Sequence, residues 1–202
     1  MRLRPFTFAL AAMPDLSRLL HEWEGEWIRL GVPVEEILLP GLELDQVVDT
    51  LTRTFGTVHD DVPQWFAWHD GSPPRLGVDA AQIGWPILPL ALCLRERETQ
   101  MAVDREILLY TPQMHRWDAR WLPLTPDTGG GSYVVDTATG QVLDVSWWSG
   151  GDLDRVVAED LSSAVQVWLE VLRGGYYQWS DGRWQYDFAA VPPHFRGTGL
   201  VG

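Results

Sequence analysis

The chain has 202 residues, with 15 arginines, no lysine and 28 acidic residues, for a formal net charge of −13. The missing lysine excludes a Schiff base, a lysine general base and a Walker-A phosphate loop, each of which needs that amine. The acidity argues against direct nucleic-acid binding, which requires a basic surface, and favours a basic protein partner drawn in by electrostatic steering.

The length fits one domain with a substantial core, expected over about residues 13–190. At the N-terminus, residues 1–12 faintly imitate a signal peptide. Met13 offers an alternative start, because Pro14-Asp15 opens a helix well. Pro14 to Leu30 predicts the first helix: Leu16, Leu19, Leu20, Trp23, Trp27 and Leu30 recur at steps of three and four, and Gly31 ends it. Leu44 to Phe55 predicts a second, with a stripe of Leu44, Val47, Val48, Leu51 and Phe55 stopped by Gly56. Trp65 to His69 predicts a short third helix, and residues 71–90 a loop rich in proline and glycine.

The longest apolar run, Ile83 to Leu94, contains Pro86 and Pro89 and is too short to span a bilayer. Cys93 lies in it as the lone cysteine. That excludes an internal disulfide and points to a buried, inert thiol in a cytoplasmic protein. Leu92 to Gln100 suits a helix, and Glu106 to Tyr110 a strand.

Trp121-Leu-Pro-Leu then suits a short extended segment at a sheet edge, where Pro123 is tolerated. Gly129, Gly130 and Gly131 allow a sharp bend, and Ser132 to Asp136 alternates like a strand. Asp136-Thr-Ala-Thr-Gly140 predicts a hairpin turn. A return strand follows, with Leu143, Val145 and Trp147 on one face and Asp144 on a solvated one. Leu161, Ala164, Val165, Trp168, Leu169 and Leu172 mark the clearest late helix. Tyr177 and Trp179 face Trp184 and Tyr186 across Ser-Asp-Gly182 in a terminal hairpin, and residues 192–202 suggest a loose tail. The order of elements implies an α+β fold with a mostly antiparallel sheet, N-terminal helices and a closing C-terminal helix.

No catalytic constellation stands out. There is no Gly-x-Ser-x-Gly elbow or cysteine–histidine pair, and the triple glycine precedes a strand, unlike a phosphate loop. The five histidines lack ligand spacing, so no metal or cofactor is expected. Asp118, Asp127, Asp136 and Asp144 surround the hairpin; turn capping explains Asp127 and Asp136 more simply than acid–base work. Of the 12 tryptophans, about two-thirds are expected inside, with a few left for a binding surface.

In the order of its parts the chain resembles the SUKH superfamily of fungal cell-wall-assembly regulators and bacterial immunity proteins. The parts are Val62-Pro-Gln-Trp-Phe-Ala-Trp-His-Asp-Gly71, Trp121-Leu-Pro-Leu, Gly130-Gly131 leading into Tyr133-Val-Val-Asp136, Gly140-Gln-Val142, and the helix from Asp160 to Leu172. Ser132 departs from the pattern, since many members carry an acidic or amide residue there. The resemblance implies a single SUKH-like domain without enzymatic activity, an immunity protein that masks a basic, nuclease-type toxin. Its contact zone would comprise Trp65, Trp68, Asp70, Trp121, Asp127, Gly130, Gly131 and Asp136. A regulatory scaffold that binds several cellular proteins is the alternative. A third, weaker reading is an aromatic and acidic cleft for sugars.

Overall fold

The computed structural model describes residues 15–73, 86–107, 109, 117–126, 131–145 and 154–200. The architecture is α+β, as the sequence predicts. Four helices come first: α1 (Leu16–Arg29), α2 (Val34–Ile37), α3 (Leu44–Phe55) and α4 (Asp61–Trp68). A longer α5 (Leu90–Ile107) precedes strands β1 (Trp121–Pro123), β2 (Ser132–Asp136), β3 (Val142–Val145) and β4 (Asp154–Ala158). Then come α6 (Leu161–Arg173), a hairpin of β5 (Tyr177–Ser180) and β6 (Arg183–Tyr186), and a last turn of helix, α7 (Pro193–Arg196).

Local chemistry explains the helix starts. Asp15 Oδ1 accepts from Ser17 N–H at 3.1 Å, and Asp160 Oδ1 accepts from Ser163 N–H at 2.7 Å, each satisfying a donor the helix leaves unpaired. Asp61 Oδ2 accepts from the backbone N–H and the hydroxyl of Ser162, at 3.3 and 3.1 Å, so the first residue of α4 also anchors the start of α6.

The four-stranded sheet runs β1-β2-β3-β4, every pair antiparallel. Both faces carry buried side chains. Leu122, Tyr133, Val135, Val142 and Val157 join the main core with α1, α4 and α6. Trp121, Val134, Leu143 and Val145 form a second cluster with Trp117, against which Met101 of α5 packs. This two-sided burial alters one expectation. Asp144 does not stand on a solvated face: it is half-buried opposite Tyr133, and desolvation pushes its carboxyl up, partly offset by Arg155.

Tryptophan dominates the centre. Trp23 of α1 stacks on Trp168 of α6 at 5.2 Å and on Trp68 of α4 at 5.6 Å, with Trp27 edge-on at 4.6 Å. Trp184 of β6 closes on Trp27 at 5.9 Å. Such pairs contribute about 0.5–1.5 kcal/mol each beyond the area they bury. Among the described residues no tryptophan is exposed.

Two further expectations change. Glu106 and Ile107, predicted to start a strand, form the last turn of α5, while Leu108 and Tyr110 lie outside the described residues. Residues 192–200, predicted to be a loose tail, fold back onto the core. Leu200 is buried, its carbonyl accepts from Trp168 Nε1–H at 3.0 Å, and Gly199 O accepts from the Tyr133 hydroxyl at 2.9 Å. Each bond satisfies a buried donor that would otherwise be costly.

Candidate partner-binding surface

Of the residues expected to contact a partner, Asp136 lies at the N-terminal end of α4, and Trp68 and Asp70 at its C-terminal end. At its N-terminal end, the loop before the helix locks onto the β2–β3 turn. His59 N–H donates to Thr137 O at 2.7 Å. Gly140, at φ +81°, sits so close that a Cβ there would lie 2.7 Å from His59 Nδ1. Thr137 donates its N–H and its hydroxyl to Arg120 O, at 2.9 and 2.8 Å. Asp136 is built into this turn. Its Oδ1 accepts from the N–H groups of Ala138 and Thr139 at 2.9 and 3.1 Å, and its Oδ2 lies 3.2 Å from the Arg120 guanidinium. Arg120 also grips Asp118 at 2.9 Å, and that hydrogen bond holds the Asp118 carboxyl below its ordinary range.

At the C-terminal end of α4, Trp68 donates Nε1–H to Glu24 Oε2 at 2.9 Å. His69 Nδ1 stands 2.8 Å from Leu39 O; a carbonyl only accepts, so Nδ1 carries the proton. Asp70 Oδ1 accepts from Leu90 N–H at 2.7 Å and so satisfies the first donor of α5. Burial pushes the Asp70 carboxyl up, with the Leu90 bond acting against it. Cys93 lies beyond, fully enclosed, its thiol pushed well up by desolvation.

The structure therefore sorts the expected contact residues. Trp65, Trp121 and Asp136 are 1%, 7% and 4% exposed and offer a partner nothing in this conformation. Gly131 is buried. Ser132, the departure from the SUKH pattern, is also buried and donates its hydroxyl to Thr125 O at 2.6 Å. Trp68 and Asp70 are partly accessible, and Asp127 and Gly130 lie outside the described residues.

Part of the stripe predicted on α3 is open. The apolar stripe of α3 is wider than its contact with α4. Val47 and Leu51 are buried, but Leu44 and Val48 are 46% and 40% exposed. Glu43, Asp45 and Asp49 are exposed around them, and Glu35 and Glu36 of α2 are exposed as well. Among the described residues no arginine forms an ion pair with these five carboxylates. The legible signal was the acidic residue on each side of Leu44. An apolar centre ringed by charge is the common anatomy of a protein interface.

Among the described residues no three histidine, cysteine or acidic side chains converge as metal ligands, and no helix is long and apolar enough to cross a membrane. No model of a known protein family matches the chain, and no curated protein matches it either.

Proposed function

We propose that the chain is a non-enzymatic protein-binding domain, an immunity protein that neutralises a basic, nuclease-type toxin in the cytoplasm by covering its working surface. The immunity role comes from the SUKH resemblance. The observation that carries the binding role is the outer face of α3, where Leu44 and Val48 are exposed beside Glu43, Asp45 and Asp49, carboxylates that no arginine pairs among the described residues. A nuclease that grips phosphate is basic, and Glu43, Asp45 and Asp49 offer it acidic groups in place of phosphate. Leu44 and Val48 supply the apolar contact that excludes water at the centre. Trp68 and Asp70 serve this surface indirectly, since they fix the helix on which α3 rests.

The test has two stages. Tagged protein captures partners from its own cells at low and moderate salt, and the captured gene is then expressed with and without this chain. We expect one dominant basic protein, released as salt rises, whose toxicity disappears on co-expression. Replacing Leu44 and Asp45 by arginine should weaken that complex at least about tenfold. Retention that the double variant leaves unchanged would move the contact off α3. Several weak partners with no toxicity to relieve would favour the regulatory scaffold.

A further inference from the structure

A cleft of about 430 Å³ opens on the β5–β6 hairpin. Its walls include Tyr176, Gln178, Gln185, Tyr186 and Asp187. The volume lies within the usual range for small-ligand sites, about 300–1,000 Å³.

The cleft has a built framework. Tyr186 stacks on buried Tyr177 at 5.1 Å across the strands, which stiffens the hairpin whose opposite face carries Gln178 and Gln185. Tyr176 lies over Gly174 so closely that a Cβ there would stand 2.3 Å from its ring. Gln178 and Gln185 are cross-strand partners and both are exposed. Asp187 Oδ1 accepts from Ala189 N–H at 2.9 Å, which steadies the carboxylate.

We propose that this cleft binds a neutral saccharide, one or two pyranose rings in extent. Each ring would lay an apolar C–H face on tyrosine, an amphipathic aromatic that offers apolar area and a hydroxyl together. Two neighbouring carboxamides present donors and acceptors side by side, and adjacent sugar hydroxyls need both. Asp187 adds a further acceptor. An anionic ligand fits poorly, because among the described residues no arginine lines the cleft, and the chain carries −13. A proline-rich peptide fits less well than a sugar. Proline has no N–H, so the carboxylate and amide oxygens would lose water without gaining a donor.

Saturation-transfer NMR on the full chain tests the proposal with three probes: cellotriose, tri-N-acetylchitotriose and decaproline. We expect transfer to at least one sugar, reduced at least about tenfold in apparent affinity by Tyr176→Ala. Gln178 is exposed and outside the core, so Gln178→Ala keeps the test decisive if Tyr176→Ala disturbs the hairpin. Loss in either variant with an unchanged melting temperature supports the site. No transfer from either sugar at about 10 mM, transfer that survives both substitutions, or transfer to decaproline alone would overturn it.

Discussion

At the scale of single residues, the side chains that look most functional in the sequence are occupied in holding the fold. Asp70 is the clearest case. Its carboxylate takes the Leu90 N–H and is itself pushed up by desolvation. A carboxyl raised by folding holds its proton at pH values where the unfolded chain has released it. Its stabilising contribution is therefore greatest below the ordinary carboxylate range and is lost as pH rises through the folded value. Asparagine keeps the acceptor and removes the charge. Asp70→Asn should thus match or exceed wild-type stability near pH 7, and its advantage should shrink toward about pH 4. Asp70→Ala loses the acceptor as well and should lie about 1 kcal/mol below the Asn variant at both pH values. Urea unfolding midpoints of the three proteins at the two pH values decide the matter. An Asn variant that falls as far as Ala at neutral pH would show that the charge, and not the hydrogen bond, supports α5.

At the scale of elements, the sequence was legible wherever periodicity met a clear stop. The stripe from Leu16 to Trp27, the stripe from Leu161 to Leu172, and the aromatic pairs Tyr177–Tyr186 and Trp179–Trp184 all appear as predicted. The reading failed where cover from elsewhere decides the outcome. Ile107 belongs to α5, a helix with little amphipathic pattern of its own, so the apolar stretch around it resembled a strand. Asp144 carries no mark that its face of the sheet is covered, because the cover comes from distant residues. The same limit hid the pairing of the β2–β3 turn with the loop before α4, which a double-mutant cycle can measure. Gly140→Ala places a methyl group into the His59 ring and forces an alanine to φ +81°. We expect a loss of about 2 kcal/mol in the wild-type background. His59→Ala should relieve the clash but leave a backbone strain of about 1 kcal/mol. Strict additivity of the two substitutions would mean that the turn and the loop do not touch in solution.

At the scale of the whole molecule, charge sets a tension between stability and binding. The chain carries −13, and α3 displays Glu43, Asp45 and Asp49 without cationic partners among the described residues. The main inter-helix relief is Arg173 of α6, which reaches Glu22 and Glu26 of α1 at 3.0 and 3.4 Å. These hydrogen bonds are the main reason the Glu22 carboxyl sits below its ordinary value, and they assist Arg29 in doing the same for Glu26. They lie at the surface, where such pairs contribute at most about 1 kcal/mol. The remaining acids repel one another, and that repulsion acts across the surface. Between about 0.01 M and 0.15 M sodium chloride the screening length falls from about 30 Å to about 8 Å. The free chain should therefore become more stable with salt, the loss of the Arg173 pairs being the smaller effect. A gain of about 1 kcal/mol would raise the melting temperature by about 2–4 °C in a chain of this size. The same step should weaken the complex with a basic partner, because the repulsion that salt removes from the free chain is the repulsion a basic surface also relieves. Thermal melts of the free chain and affinities of the complex across one salt series should consequently move in opposite directions. A chain whose melting temperature falls with salt would place the important acids in ion pairs, and the acidic face of α3 would then lose its reason to seek a cationic partner.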